Sequence, residues 1–331
     1  MTNSIYRRAA LRGSLAGAAA LAAPVVVRAQ EPLDTAKILI GFPPGGSSDV
    51  AARHLADKLT PSYARNVIVD NRPGAAGRIA IDALKSAAPD GRTLLLTPAS
   101  TVTIYAAVYK KLSYNPMTDL MPVSLACTFV HGFAVGPAVP AEIRNLAQYA
   151  AWAKANPAKS SCGNPGEGSF PHFLTMILAR GLDAPIQPVP YRGGAPALVD
   201  LGAGQLAALL LPDGSFLPFA KDGRARVLAT SGEKRSPFFP DAGTFAEQGV
   251  KDLVVTEWFG LFAPPATPSA TIDRASQAIS RALEDKKLGE VYAQNGMVPG
   301  GSTPQQLAAM IKADSETWTP RIKATGFQPI E

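Results

Sequence analysis

A glycine-rich turn between a predicted strand and a predicted helix is the first place in the chain where residue types and spacing could bind a ligand. The apolar run Ile38–Ile40 is typical of a buried parallel strand, and the prolines and glycines at 43–46 end it. Ser47 and Asp49 follow, and residues of these types cap and open helices. The free N–H groups at such a helix start, together with the positive end of the helix dipole, attract an anion.

A single carboxylate is the anion that suits this turn best. No lysine follows the glycines as it would in a Walker loop, and the dinucleotide pattern G-x-G-x-x-G is absent. Asp49 in the first helical turn suits the helix dipole but disfavours a multiply charged phosphate nearby. The alternative, an ordinary strand-to-helix turn that binds nothing, stays open at this point.

A second glycine-rich loop follows the same pattern further along the chain. Residues 160–163 form a predicted short strand, 164–169 a loop, and 171–180 a helix with proline in its first turn. The start of this helix is a second predicted anion site. His172 lies in the first turn, where it could donate a hydrogen bond to a ligand or hold the loop in place. A partly buried structural histidine fits the pattern equally well.

Three further polar residues, Ser100, Arg192 and Asp213, come after predicted strands. Ligand groups collect at the carboxyl ends of strands in open α/β sheets. Ser100 is therefore predicted on the same rim as the first turn, and Arg192 could face the same cleft. For Ser100 a surface loop, and for Arg192 a solvated side chain, are the simpler alternatives.

Strands and helices alternate along most of the chain, which predicts doubly wound α/β layers. Two apolar, β-prone segments interrupt the alternation, at 120–133 and 253–262. The first is predicted to carry the chain into a second lobe, and the second to carry it back. Three helical patterns follow, at 269–283, 285–295 and 304–324.

The first 29 residues have the pattern of an export signal. Arginines precede an apolar, alanine-rich run from Leu15 to Val27, and small residues lie before a cleavage site expected after Ala29. The run is too short for a comfortable membrane span. We therefore expect a periplasmic mature protein. A loose twin-arginine pattern at 6–12 leaves the choice between Sec and Tat export open.

Composition argues against several other classes of protein. The net charge is +6, but the predicted signal holds four arginines and no acidic residue, so the mature chain carries only +2. Because no basic stripe with interleaved aromatics remains, nucleic acid is not expected as a partner. Cys127 and Cys162 could pair or stay as buried thiols. His54, His131 and His172 are scattered without metal-ligand spacing, so neither a metal nor a cofactor is expected.

Seven stretches of the mature chain match the motifs of one known family in order. They are GFPPGGSSDVAAR (41–53), VDNRPGAAG (69–77), APDGRTLLL (88–96), PVSL (122–125), YRGGAPALVDLGAGQL (191–206), KRSPFFPDAGTFAEQG (234–249) and WFGLFAPPATP (258–268). In these stretches the chain resembles the extracytoplasmic receptors of tripartite tricarboxylate transporters, also called Bug-type solute-binding proteins. Each stretch is short, but together they cover nearly the whole mature chain.

The resemblance implies a type II periplasmic-binding-protein fold, in which two doubly wound α/β lobes are joined by two crossover strands around a ligand cleft. It places residues 30–129 and 256–331 in lobe 1 and residues 130–255 in lobe 2. The implied ligand is a small carboxylate, either a dicarboxylate or an aromatic carboxylate, held largely by backbone groups and ordered water.

The family's ligand loops carry over onto this chain residue by residue. The first ligand loop corresponds to Pro44, Gly45, Gly46, Ser47 and Asp49, and the second to Ser169 and His172. Ser100, Arg192 and Asp213, at the strand ends, complete the expected binding site.

The second loop departs from the family pattern at Pro165, Glu167 and Phe170. Glu167 would repel an anionic group unless it points to solvent. Phe170 could stack on a ring of the ligand or pack beneath the loop.

A solute receptor is the function class that explains the export signal, the two helix starts and the lack of a catalytic set. We expect a monomer that is not an enzyme and that delivers its carboxylate to membrane permease subunits of a tripartite tricarboxylate-type transporter. A sensor that presents the ligand to a membrane signalling protein is the alternative. A periplasmic hydrolase is less favoured, because residues 166–170 lack the closing glycine of G-x-S-x-G.

Overall fold

The computed structural model describes residues 31–251 and 253–331, and strands and helices alternate through this part of the chain. The strands are β1 (Leu33–Ile40), β2 (Ala64–Asn71), β3 (Thr93–Pro98), β4 (Met121–Val135), β5 (Ser161–Asn164), β6 (Gln187–Pro190), β7 (Ala208–Pro212), β8 (Arg226–Thr230), β9 (Gly243–Thr244), β10 (Thr256–Ala263) and β11 (Val298–Pro299). The helices are α1 (Ser47–Leu59), α2 (Arg78–Lys85), α3 (Ala99–Thr103), α4 (Tyr105–Val108), α5 (Leu146–Ala155), α6 (Phe170–Gly181), α7 (Gly194–Gly202), α8 (Leu217–Lys221), α9 (Ser269–Leu283), α10 (Lys286–Gln294) and α11 (Pro304–Ala324). The predicted export signal lies outside the described residues.

The first sheet has the strand order β2-β1-β3-β10-β4. Strand β1 is parallel to β2 and β3, whereas β10 is antiparallel to both β3 and β4. Parallel neighbours require crossover helices that cover the sheet, and α1 and α2 are two of them. Leu55 and Leu59 of α1, four residues apart, are fully buried in the core with β1 residues such as Ile38.

Strand β4 belongs to both sheets of the molecule. Its first part pairs with β10 as far as Val130, and its last part, from His131 to Val135, pairs with β7 and β8. The second sheet continues from β7 through β5 to β6. The chain returns just before β10, where the Val255 N–H donates to the Ser231 carbonyl oxygen over 2.7 Å. Both β-prone segments therefore run between the sheets, while the exact lobe boundaries at 129/130 and 255/256 stay a prediction.

Two strand ends carry short helical turns that the sequence analysis did not predict. Ser100 lies in helix α3 and is only 1% exposed, so the surface-loop alternative for this residue is wrong. Asp213 begins a 3₁₀ turn, Asp213–Phe216, and its side chain is fully buried. In both cases the strand ends in a proline, which has no N–H group for a sheet ladder and forms the N-cap of the short helix that follows.

Both cysteines are free and buried. Cys127 Sγ lies 3.7 Å from Met297 Sδ, and Cys162 Sγ lies 3.6 Å from the Thr175 hydroxyl. Burial raises the pKa of Cys162 to about 12 and also raises the pKa of Cys127. The two residues are therefore buried thiols that fill the core, and the disulfide alternative is wrong.

The backbone at Gly214 lies so close to the backbone at Asn295 that only glycine fits there. A Cβ atom at this position would lie 1.9 Å from the Asn295 carbonyl oxygen, which cannot move aside without the backbone. We expect Gly214→Ala to lower the free energy of unfolding by about 1–3 kcal/mol, as overpacking of this kind does. Urea denaturation measures the change.

The matched control is Gly300→Ala. A Cβ atom at Gly300 would meet only the end of the Leu125 side chain at 3.8 Å, an ordinary contact. This variant should stay within about 0.5 kcal/mol of the wild-type protein. Equal stability of the two variants would contradict the proposed clash.

Candidate functional site

A cavity of about 230 Å³ lies where the two predicted ligand loops meet the crossover strands. Its size is close to the lower end of the usual range for ligand pockets, about 300–1,000 Å³. Its walls come from the starts of α1 and α6, one face of β4 and β10, the end of β7 and the residues at the end of α10. The cavity can therefore hold a small molecule that touches parts of both sheets.

The start of α1 presents free backbone donors to this cavity. Gly46 is the N-cap residue, has extended backbone angles and provides no side-chain cap for the helix. Gly46, Ser47 and Ser48 all line the cavity. Because the first N–H groups of a helix have no partner inside the helix, these donors and the positive end of the helix dipole are available to an anion.

Asp49 holds this loop in shape and does not line the cavity. Its carboxylate accepts hydrogen bonds from the Gly45 N–H at 3.0 Å, from Arg53 Nε at 2.9 Å and from Asn71 Nδ2 at 2.9 Å. Burial tends to raise the pKa of Asp49, but these hydrogen bonds outweigh burial and hold it below its usual value. Since the Gly45 N–H is used by Asp49, the donors left for a ligand begin at Gly46. Gly45 itself needs to be glycine because its φ angle is +83°.

The second loop is held by His172 and Ser169. The Gly168 N–H donates to His172 Nδ1 at 2.8 Å, and the Ser169 hydroxyl donates to the Gly166 carbonyl oxygen at 2.7 Å. Ser169 also caps α6 by accepting from the His172 N–H. Ser169 lines the cavity, whereas the His172 ring packs against Phe173 and Phe327 outside it. Burial lowers the pKa of His172 to about 4, so the ring is neutral at pH 7.

The floor of the cavity carries a buried pair of ionisable side chains. His131 and Phe129 project from one face of β4, and Glu257 and Phe259 project from the same face of β10. His131 Nε2 lies 2.8 Å from Glu257 Oε2, with the two side chains 0% and 4% exposed. Neither ring nitrogen of His131 has a hydrogen bond of ordinary geometry within the described chain.

Asp213 lies next to this pair but behind the cavity wall. Its neighbours Pro212 and Gly214 line the cavity, while its own side chain is fully buried and makes no hydrogen bond of ordinary geometry with described residues. Burial raises the pKa of Asp213 to about 6, and the nearby Ser236, the Gly214 N–H group and His131 offset this effect only in part.

The structure brings half of the ten predicted site residues to the cavity wall. Those that line it are Gly45, Gly46, Ser47, Ser100 and Ser169. Those that do not are Pro44, Asp49, His172, Arg192 and Asp213. Arg192 is exposed, which agrees with the solvated alternative. Direct contact of any of the ten with a ligand stays a prediction.

The structure decides between the alternative orientations of Glu167 and Phe170 in the second loop. Glu167 is exposed and is not among the described residues that line the cavity, so it points to solvent. Phe170 is buried and packs edge-on against Trp318 at 4.7 Å, which means that it packs beneath the loop.

Sequence reasoning missed the side chains on the cavity floor. His131 was considered only as a metal ligand, and Glu257 was considered only as part of an apolar crossover segment. A signal was present, because Glu257 is the only charged residue between Leu253 and Phe262. A lone charge inside an apolar β-prone run is costly to bury unless it has a partner or a function.

The described part of the chain holds no group of three or more His, Cys, Asp and Glu side chains that could bind a metal ion. Within the same residues, no serine or cysteine side chain is hydrogen-bonded to the His131 ring. No helix between residues 31 and 251, or after 252, is long and apolar enough to cross a membrane.

Comparisons with known proteins agree on one family. Residues 51–327 match the family described as tripartite tricarboxylate transporter family receptor. The protein BugT of Bordetella pertussis (strain Tohama I) is 33% identical over 324 residues, which cover 98% of this chain and 98% of BugT.

Two solved structures are also similar to this chain. The periplasmic binding protein BugD is 28% identical, with a TM-score of 0.84 over 90% of this chain and 99% of BugD. An R. palustris protein solved with adipate is 26% identical, with a TM-score of 0.86 over 91% of this chain and all of that chain. These similarities confirm the predicted two-lobed α/β fold of periplasmic binding proteins.

His172 should make stability depend on pH. Its pKa is about 4 in the folded protein, against 6.5 for an unperturbed histidine. As pH falls from 7 to 4 the unfolded chain takes up a proton that the folded protein resists, so the folded state loses stability, by roughly 3 kcal/mol in total. We expect His172→Gln to remove this part of the pH dependence.

Denaturation of both proteins between pH 7 and pH 4 gives the measurement. Asp213 contributes with the opposite sign, because its raised pKa lets the folded protein gain a proton first, but it is present in both proteins and cancels in their difference. If the free energy of unfolding changes with pH in the same way for the wild type and the variant, His172 is not buried in its neutral form.

Proposed function

The chain belongs to the tripartite tricarboxylate transporter receptor family, whose members are solute-binding receptors, and we propose that it captures a small carboxylate in the cavity described above. The captured ligand is then delivered to the membrane permease of a tripartite tricarboxylate-type transporter. The protein works in the periplasm after export and cleavage of the segment that ends at Ala29.

The observation that carries this proposal is the uncapped start of α1. Gly46, Ser47 and Ser48 line the cavity at the positive end of a 13-residue helix, and no side chain caps that helix. A carboxylate bound there accepts charge-assisted hydrogen bonds from backbone N–H groups and gains from the helix dipole. Asp49 supports the binding geometry because its carboxylate accepts a hydrogen bond from the Gly45 N–H group. Its own charge is balanced by an ion pair with Arg53.

The second lobe contributes the start of α6. Ser169 and Pro171 also line the cavity, and the hydrogen bonds of Ser169 and His172 hold the loop that precedes them. The remaining wall is largely apolar and includes Phe42, Phe129 and Phe259. A short aliphatic or aromatic carboxylate fits such a wall. The adipate bound by the R. palustris relative supports this class of ligand.

A sensor that presents the same ligand to a membrane signalling protein is the second candidate for the final step. It shares the cavity and the ligand class with the transport receptor, and only the partner differs. Family membership favours the permease as the partner. A periplasmic hydrolase has less support, because His131 and Glu257 have no hydrogen-bonded nucleophile within the described chain.

Two substitutions at the start of α1 test the proposal. Gly46 has an extended backbone, and a Cβ atom there would meet nothing closer than the Pro43 carbonyl oxygen at 3.8 Å, so Gly46→Val should fold. Its side chain would stand where the ligand approaches the N–H groups, and we expect affinity to fall by about a hundredfold or more. Ser47→Ala removes only a hydroxyl and should cost about tenfold or less.

The measurement is calorimetric titration of the mature protein with short-chain carboxylates, with adipate as the first ligand. Gly300→Val is the matched control, because a Cβ atom there also has its nearest neighbour at 3.8 Å but lies outside the cavity. The control should bind like the wild type. If folded Gly46→Val protein binds with unchanged affinity, the carboxylate site is not at this helix start.

A further inference from the structure

The floor of the cavity has a chemistry that a simple dicarboxylate site does not need. Glu257 is 4% exposed and lines the cavity, so the little surface that it exposes faces the cavity interior. A buried carboxylate is costly unless it has a partner of opposite charge or good hydrogen bonds. Among the described residues its ion-pair partner is His131, with 2.8 Å between Oε2 and Nε2.

The charged groups around the cavity include acidic side chains but no permanent cation among the described residues. None of the described lining residues is a lysine or an arginine. Asp213 lies just behind the wall, fully buried, and adds a second acidic group beside His131. A single imidazole therefore lies beside two carboxyl groups.

We propose that Glu257 is the binding site for a protonated amine, so that the ligand carries a carboxylate at one end and an ammonium group at the other. This inference rests on the proposed function, since the start of α1 has to hold the carboxylate end. The ammonium group donates a charge-assisted hydrogen bond to the Glu257 carboxylate, in addition to the contact that His131 makes with it.

The aromatic side chains beside Glu257 favour the same group. Phe129 and Phe259 both line the cavity beside the pair, with their ring centroids 4.6 Å apart. Aromatic rings attract a cation that lies over their faces. A second carboxylate placed at this end would instead meet Glu257 as a like charge, and binding would be opposed.

Matched pairs of ligands test the proposal directly. Each pair has the same number of carbons and differs only in the far end: 4-aminobutyrate with succinate, 5-aminopentanoate with glutarate, and 6-aminohexanoate with adipate. Calorimetric titration of the mature wild-type protein should show that the amino acid of at least one pair binds about tenfold or more tightly than its dicarboxylate.

Glu257→Gln should abolish this preference. The glutamine has nearly the same shape but no charge, so we expect the favoured amino acid to lose about tenfold or more in affinity while its matched dicarboxylate binds more tightly than before. The control is Glu284→Gln, an exposed acid outside the cavity, which should leave every affinity unchanged. If Glu257→Gln does not fold, Glu257→Asp keeps the charge and should retain the preference with weaker binding.

The outcomes separate the two proposals. Binding of dicarboxylates with equal or greater affinity than their amino partners would overturn the ammonium site and leave the carboxylate receptor standing. An unchanged preference in folded Glu257→Gln protein, or a lost preference in folded Glu257→Asp protein, would also overturn it. Failure of all six compounds to bind would overturn both proposals.

Discussion

The uncapped start of α1 is the constraint on which the site depends. Backbone N–H groups are strong donors that need a partner, and at Gly46, Ser47 and Ser48 the helix supplies neither an internal acceptor nor a side-chain cap. The chain does have a suitable acid nearby in Asp49. Its carboxylate is turned away toward Gly45, Arg53 and Asn71, so it fixes the loop without occupying the donors. The helix start therefore remains open for a ligand.

The crossover strands bring the other half of the site to this helix. Strand β4 leaves the first sheet at Val130 and enters the second at His131, and β10 begins where the chain returns. Glu257 pairs with Phe129 across the two strands, and His131 lies two residues further along the same face of β4, so the buried acid–imidazole pair lies where the two sheets meet. The floor and the helix starts together select for charge at both ends of a small molecule.

Local sequence patterns predicted the elements well because each carries its own signals. The turn at 43–46 and the loop that ends at Ser169 both precede a helix where the pattern indicated, and both reach the cavity. Patterns identified Asp49 and His172 as belonging to these loops, but could not show which way the side chains point. His131 and Glu257 are 126 positions apart and meet only through strand pairing, which no local pattern encodes. The burial of Asp213 likewise depends on the approach of Gly296 from a distant part of the chain.

The central claim is that backbone N–H groups at the start of α1 hold the carboxylate of the ligand. Titration of uniformly ¹⁵N-labelled mature protein with the tightest-binding short-chain acid, followed by NMR, observes these groups one by one. The account predicts that the amide signals of Gly46, Ser47 and Ser48 move together and saturate at the affinity measured by calorimetry, while that of exposed Gly223 stays in place. Saturable binding that leaves all three helix-start signals unchanged would contradict it.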